Sequence, residues 1–408
     1  MKRVCLLAFI AAAFIPARGA QAQDTGTAAS PAQSSPRPGG YMNVSFVGLT
    51  DFAWSTQKNV RSLWVGDHDP RVRGFSIPNG ELALDGAVDP YFKGFANIVY
   101  KLDENGETGV ELEEMYALTT SLPHNLQLKA GQFFAEFGRQ NPQHPHSWAF
   151  GDQPLVLNRM FGPEGLRSQG VRGSWLAPTP FYTEVSLGVF NAAGGTAYSF
   201  RSDESSEIHG GSALPTDATV DNIGDLLYVP RVAASFDLSD TQALVFGVSG
   251  AIGPNNAGLD TNTQVFGADV YYKWKSSHAM QGFPFVAFQS EFMTRSYEAD
   301  ASPSGDISAV LPARTLKDNG AYAQVQWGIK PLVVAGLRAE YAKGSDNAFR
   351  TEARQDRYRM STDMTWFPTE FSKFRLQYNY DYGKLLGVDH SFMAQLEFLL
   401  GAHAAHKF

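Results

Sequence analysis

The amino-acid sequence predicts an all-β protein, a transmembrane antiparallel β-barrel of about 16 strands with no plug domain. Composition gives the first indication, because the chain is rich in Gly (39), Phe (29), Tyr (16) and Trp (7) while only 18% of its 408 residues are charged. Soluble domains carry roughly 25% charged residues. The other two indications are segments of alternating apolar and polar residues, and connections that alternate between short and long.

The first 22 residues are predicted to be a cleaved signal peptide. Lys2 and Arg3 supply a positive start, residues 4–15 are apolar, and the small residues of the Ala-Gln-Ala sequence at 20–22 form a cleavage site. The apolar stretch is too short to span a bilayer as a helix. The protein is therefore expected to be exported.

The exported chain divides into a flexible leader at 23–40, rich in Ala, Ser, Pro and Gly, and one barrel domain at 41–408. Cys5 is the only cysteine and lies in the signal peptide, so the mature chain would have neither disulfides nor thiolate metal ligands. The formal net charge is -8, and an acidic exported protein is not expected to bind nucleic acid.

Period-two alternation is cleanest near the C-terminus, at 357–366, 373–382 and 391–400. In 373–382 the apolar set is Phe374, Leu376, Tyr378, Tyr380 and Tyr382, and the residues between them are polar. One face of each strand is thus apolar and the other polar. The apolar faces, with aromatic residues near the segment ends, are expected to contact outer-membrane lipid.

The connections alternate in length along the chain. Short ones are expected near 85–90, 121–125, 177–180, 237–241, 276–283, 330–331 and 367–371. Longer ones are expected near 55–73, 102–108, 139–166, 193–225, 253–262, 298–316, 344–356 and 384–389. Short turns belong on the periplasmic side of an outer-membrane barrel and long loops outside. Both termini would then be periplasmic in a Gram-negative cell.

A closed barrel is required because every backbone N–H and C=O group in hydrocarbon must be paired. An even strand count satisfies this requirement. The chain ends in Phe408, an aromatic terminus through which the barrel-assembly machinery is expected to act on the C-terminal strand.

The segment 126–166 carries a family resemblance. Its matching residues are Phe137-Gly138-Arg139, Asn141, Gln143-His144-Pro145-His146, Trp148, Asp152 and Pro154-Leu155. This stretch, with the His-bearing end at 401–408, resembles proteobacterial porin-like proteins labelled zinc-regulated TonB-dependent outer-membrane receptors. The strand pattern is more distantly similar to phosphate-selective porins. The resemblance implies an outer-membrane barrel with a link to zinc. Homotrimers are common among porins of 16 strands.

Histidines are the candidate metal ligands. His144 and His146 flank a proline in a long outer loop, and neutral imidazoles bind zinc. Asp152, or His68 of the first outer loop, could complete a site of three or four ligands. The alternative is a structural role, in which these histidines fix a loop that folds into the pore. His403 and His406 form a second candidate group near the C-terminus.

Charged residues at the polar positions of the last strands are predicted to line the pore. They are Arg338, Glu340, Arg357, Arg359, Asp363, Lys373, Arg375 and Glu397. The basic members form a stripe on successive strands, which would favour anions weakly. If the acidic members pair with them, the lumen is mixed in charge, and this is the favoured prediction.

The predicted function is a porin-like channel for passive passage of small polar solutes or ions. The first alternative is a zinc-linked receptor or metal-uptake protein, and the second is a structural barrel whose loops block its lumen. Only 18 residues separate the cleavage site from the first strand, whereas an energised receptor needs a plug inside a barrel of about 22 strands. No Gly-x-Ser-x-Gly or His-Glu-x-x-His motif is present, so no enzymatic activity and no cofactor other than zinc are expected.

Overall fold

The computed structural model describes residues 42–70, 72–103, 105–216, 219–303, 310–345 and 354–401, without the side chains of Ser205 and Ser206. The predicted signal peptide, the leader and the C-terminal residues 402–408 lie outside the described residues.

Sixteen long strands close into one antiparallel barrel. The first eight are β1 (Met42–Ser55), β2 (Gly74–Ala87), β3 (Phe92–Leu102), β4 (Thr108–Thr119), β5 (Leu126–Phe134), β6 (Arg167–Leu176), β7 (Tyr182–Asn191) and β8 (Leu226–Ser239). The others are β9 (Gln242–Pro254), β10 (Asn262–Met280), β11 (Phe283–Ala299), β14 (Arg314–Lys330), β15 (Val333–Gly344), β16 (Arg357–Thr369), β17 (Ser372–Gly383) and β18 (Gly387–Gly401). Two short strands, β12 (Ser302–Pro303) and β13 (Val310–Leu311), pair with each other outside the barrel.

Closure takes place between the first and last strands, where β1 and β18 pair from Ser45↔Gly401 to Ser55↔Ser391. Each remaining barrel strand pairs with its chain neighbours in the barrel. The prediction of a closed antiparallel barrel with sixteen strands is therefore confirmed. Short turns gather at one end and long loops at the other, as the alternating connections predict.

The two faces of the wall differ in polarity. On β17, Leu376 is 51% exposed on the outer face, whereas its neighbours Arg375 and Gln377 are each 3% exposed and point inwards. The same alternation continues on β18, with Leu396 outside and Gln395 inside. Leu, Phe, Trp and Tyr thus form the outer surface, as a lipid-facing wall requires. In the part of the chain that the structure describes, no helix is long and apolar enough to cross a membrane.

Residues 135–166, which connect β5 to β6 and are called the internal loop below, fold into the barrel. The loop carries helix α1 (Leu155–Phe161), which begins after Pro154 and ends at Gly162 with φ 76°. All seven residues of α1 are buried.

One apolar cluster joins the internal loop to the wall and to the loop between β7 and β8. It includes Phe137, Met160 and Phe161 of the internal loop, Phe200 of the other loop, and Tyr322 of β14. Because core side chains pack as densely as organic crystals, this part of the interior is filled by protein.

Candidate functional site: the internal loop and the barrel wall

The internal loop reaches the wall first through its Phe-Gly-Arg segment. The backbone N–H of Gly138 donates to Ser249 Oγ of β9 at 3.1 Å. The N–H groups of Arg139 and Gln140 both donate to Glu291 Oε1 of β11, at 3.1 and 2.6 Å. A single carboxylate on the wall therefore holds the start of the loop, because it satisfies two backbone donors that would otherwise be buried without partners.

Further along, the loop contacts two more strands of the wall, β15 and β17. Gly151 N–H donates to Gln377 Oε1 of β17 at 2.7 Å, and Leu155 N–H donates to Glu340 Oε2 of β15 at 2.6 Å. The loop thus lies inside the barrel and contacts the wall from β9 and β11 to β15 and β17. The sequence-based expectation that it folds into the lumen agrees with these contacts.

Asp152 lies at the centre of a buried charge network. Its carboxylate accepts from Arg338 at 2.5 Å, from Arg359 at 2.7 Å, and from the amides of Gln377 and Asn379 at 2.7 and 3.0 Å. Burial alone would raise the pKa of Asp152, but the two guanidinium groups hold this pKa below its usual range. In this structure the oxygens of Asp152 are bound to arginines and amides and not to His144 or His146, so its part in a metal site stays a prediction.

All eight predicted pore-lining residues point into the barrel, where each is at most 6% exposed. Their charges are largely matched in ion pairs. These are Arg338–Asp152, Arg338–Glu340, Arg357–Asp381, Arg359–Asp381, Arg359–Asp152, Lys373–Glu397 and the longer Arg375–Asp363. The predicted stripe of like charge is thus neutralised beneath the internal loop, which gives the mixed lumen that the sequence favoured.

The histidines of two loops meet a group of carboxylates on the wall. His144 Nδ1 lies 2.9 Å from Glu113 Oε2, and His144 Nε2 lies 2.9 Å from Glu114 Oε2. Burial would lower the pKa of His144, but the carboxylates, Glu113 foremost, raise it well above its usual value. His144 is therefore held as an imidazolium between two acids of β4.

The other two histidines complete this group, which we call the histidine cluster (His68, His144, His146, Glu81, Glu113 and Glu114). His146 Nδ1 lies 3.1 Å from Glu81 Oε2 of β2. His68 Nε2 of the first long loop lies 3.6 Å from Glu113 Oε1. The structure therefore brings together three of the four residues predicted as the outer-loop metal group.

Sequence reasoning missed the acids of the histidine cluster because it assumed strict alternation. The pairing of β3 with β4 shifts from Asn97↔Glu114 to Ile98↔Leu112, so Glu113 is the extra residue of a β-bulge. The bulge allows two consecutive glutamates to face inwards. A signal was present, since the apolar outer residues change from even positions, ending at Leu112, to odd positions, beginning at Met115.

Two groups of side chains differ in how well their arrangement suits a metal ion: one is acidic and the other is the histidine cluster. In the described part of the chain, the only group of three potential ligands with atoms all within 4.8 Å of one another is Asp67, Glu111 and Glu164. Lys101 pairs with all three of these acids. The histidine cluster offers the imidazole and carboxylate donors that zinc accepts, but they are arranged as ion pairs and would have to move closer together. His403 and His406 lie outside the described residues.

Comparisons with known proteins point to one relative by sequence. No family model matches the chain. A protein of Aquifex aeolicus (strain VF5), described as uncharacterized, is 32% identical over 357 residues, which cover 82% of this chain and 70% of that protein.

Solved structures show the same fold at low sequence identity. The outer-membrane channel DcaP of Acinetobacter baumannii has a TM-score of 0.54 and 11% identity, covering 88% of this chain and 96% of that one. The anion-selective porin of Comamonas acidovorans has a TM-score of 0.53 and 8% identity, covering 88% of this chain and 100% of that one. OmpF of Salmonella typhi, solved with daunomycin, has a TM-score of 0.51 and 9% identity, covering 88% of this chain and 97% of that one.

Proposed function

This chain belongs to the same family as the uncharacterized protein of Aquifex aeolicus, and we propose that it is a porin-like outer-membrane channel for passive passage of small polar solutes or ions. One observation carries the proposal. A closed barrel of sixteen strands has an apolar outer face, a charged inner face and a loop that folds into its lumen. Such a barrel spans a bilayer and provides polar groups along a path through it.

The orientation follows from the proposal. Short turns would face the periplasm and long loops the outside of a Gram-negative cell, with both chain termini periplasmic. The outer face would contact membrane lipid, and the last strand would be recognised by the barrel-assembly machinery. A homotrimer is the assembly that we propose, since porins with sixteen strands commonly form one.

Liposome swelling tests passive passage directly. Purified protein is reconstituted into liposomes, which are then diluted into isotonic solutions of sugars or amino acids of increasing size. The proposal predicts swelling that slows as the solute grows, because passage is limited by the space beside the internal loop. Liposomes that do not swell with any solute would instead support a structural barrel whose lumen is blocked, the alternative favoured by the apolar cluster within the barrel.

A zinc-linked role is the second candidate, and the histidine cluster supports it. His144 and His146 have stacked rings with centroids 5.8 Å apart, and Glu81 is shared between them at 3.8 and 3.1 Å. Zinc requires neutral imidazoles, so binding would displace the protons of this cluster and weaken at low pH. The motif around these residues resembles zinc-regulated TonB-dependent receptors, and this motif is the only part of that resemblance that supports a role with zinc.

Zinc titration by calorimetry tests this candidate. The double change His144→Ala with His146→Ala is expected to abolish saturable binding, whereas changing His403 and His406 should leave it intact. Asp152→Asn is not expected to affect zinc affinity, because Asp152 binds arginines. Absence of saturable binding to the unaltered protein would leave the histidines with a structural role.

A further inference from the structure

Two lysines inside the barrel lie apart from the neutralised network, and one arginine of the internal loop lies near them. Lys273 and Lys275 are on the inward face of β10, and Arg139 is at the start of the internal loop. Lys273 pairs with Ala243 of β9, close to the short turn that follows Ser239, so the two lysines lie at the short-turn mouth of the barrel.

Contacts with aromatic rings fix the orientation of Arg139 and Lys273 inside the barrel. The guanidinium carbon of Arg139 lies 3.8 Å from the centroid of the Tyr271 ring, and Lys273 Nζ lies 5.3 Å from that of Phe285. Phe285 is 7% exposed and packs with Phe283 inside the barrel. Successive inward positions of β10 therefore carry Tyr271, Lys273 and Lys275, which lead from the internal loop towards the mouth.

These lysines differ from the paired cations of β15, β16 and β17 in having no acidic partner among the described residues. Among the described residues neither Lys273 nor Lys275 forms an ion pair, and the charged groups that act on Lys273 are the cations Lys275 and Arg139. Asp269, the nearest inward acid on β10, is instead bound by Arg231 at 2.6 Å.

The space around the lysines is suited to a passing solute. The cross-strand neighbours of Lys273 are the small residues Ala243 and Ala287, whereas Lys275 lies opposite Phe285 and is exposed although it faces the interior. A hydrated anion can therefore approach the ammonium group of Lys275, and Lys273 lies next along the same face of β10.

We propose that Lys273 and Lys275 form an anion-attracting vestibule that makes the channel selective for small inorganic and carboxylate anions. This inference rests on the proposed channel function. Unpaired cations in a confined aqueous space raise the local concentration of anions and repel cations, which is how rings of Lys or Arg select ions. The selectivity thus arises on the β10 wall and not on the paired stripe of β15–β17.

Reversal potentials in a planar bilayer under a potassium chloride gradient test the proposal. The unaltered channel is expected to favour chloride over potassium. Replacing both lysines, Lys273→Gln with Lys275→Gln, should lower the chloride-to-potassium permeability ratio by at least about twofold. Lys275→Glu alone should move selectivity towards potassium.

Lys343→Gln is the matched control, because this lysine lies on the outer face over Tyr341 and Tyr358 and its loss should not change the ratio. Single-channel conductance distinguishes failure of the proposed vestibule from failure of the proposed channel. Current steps without chloride preference, or with a preference that the double variant retains, would overturn the vestibule and leave the channel. Absence of current steps from folded protein would overturn the channel and the vestibule together.

Discussion

The Nε2 atom of His144 lies 2.9 Å from Oε2 of Glu114, which joins the internal loop to the barrel wall. The other ring nitrogen of His144 contacts Glu113 at the same distance, so both N–H groups of an imidazolium are satisfied by β4. Hydrogen bonds between charged groups stabilise a fold by about 1.5–3 kcal/mol. These contacts therefore hold the loop in the lumen. We call His144, Glu113 and Glu114 together the latch.

The latch predicts a change in loop dynamics when its acids are neutralised. Glu113→Gln with Glu114→Gln should accelerate hydrogen exchange of amides in 140–160, because His144 loses the two charges that hold it. Glu107→Gln, in an exposed turn, is the control and should have no effect. Equal exchange in the two variants would mean that the apolar cluster alone fixes the loop.

The latch should also persist at neutral pH. The pKa of His144 is raised above the unfolded value of about 6.5, despite burial and because of Glu113 and Glu81. A raised histidine pKa stabilises the fold fully below the unfolded pKa, and the stabilisation is lost as the pH rises through the folded pKa. Protection factors of the loop amides, which correct for the base catalysis of exchange itself, should therefore stay high at about pH 7 and fall as the pH rises further.

Glycine at position 138 is required by the backbone and by Glu291. Gly138 has φ 63°, and an added Cβ would lie 2.1 Å from Glu291 Oε2. Gly138→Ala is expected to lower the free energy of unfolding by about 1–3 kcal/mol. Gly195→Ala, where a Cβ would meet no atom within 4 Å, is the control. Urea titrations of the two variants in lipid vesicles measure the difference, and equal midpoints would refute this role of Gly138.

Because the outer face contacts lipid, we expect the free-energy cost of an outward-facing charged side chain to depend on its depth in the bilayer. Leu376 lies on the outer face, half-way along β17, whereas Tyr382 lies near the long-loop end of the same strand. Leu376→Arg should cost about 2–4 kcal/mol, and Tyr382→Arg about 0–1 kcal/mol. Folding titrations in lipid vesicles provide the measurement. If both arginines cost the same, Leu376 is not in the hydrocarbon region.

Glu164 is expected to change stability with pH in the opposite sense from a carboxylate whose pKa is lowered by folding. Burial, and then the charges of Asp67 and Glu111, raise the pKa of Glu164 from 4.5 to about 7. The folded protein therefore holds this proton up to a higher pH than the unfolded chain. The contribution of Glu164 to stability falls as the pH rises between these values.

The corresponding measurement compares Glu164→Gln with the unaltered protein. The unfolding temperature, followed by the gel shift of the heated barrel, is compared at about pH 5 and about pH 8. The change between the two pH values should be smaller in the variant, because the amide does not titrate. An unchanged pH dependence would assign the effect to other groups.

The sequence could predict the barrel because lipid imposes a rule on each residue separately. A strand such as β17 must place Leu376 outside and Arg375 inside, and this alternation is visible without any tertiary information. The lengths of the connections identified the two ends of the barrel for the same local reason. Inward orientation of the charged residues followed directly.

The partners inside the lumen could not be predicted, because they depend on how the loop crosses it. Asp152 and His144 lie eight positions apart in one loop, yet Asp152 meets Arg338 of β15 while His144 meets Glu113 of β4. Alternation predicts which residues face inwards. It predicts neither how far along the barrel axis each of them lies nor which side chain each of them contacts. The bulge at Glu113 also interrupts the period that the prediction relied on.

Single-channel recording with and without residues 142–154 tests the central claim, that this barrel is a channel narrowed by its own internal loop. The deleted segment includes His144, His146 and Asp152, which hold the loop against both sides of the lumen. The account predicts discrete current steps from the unaltered protein and larger steps from the deletion variant. Steps of equal size would place the loop outside the conduction path, and two folded proteins that give no steps at all would contradict the channel itself.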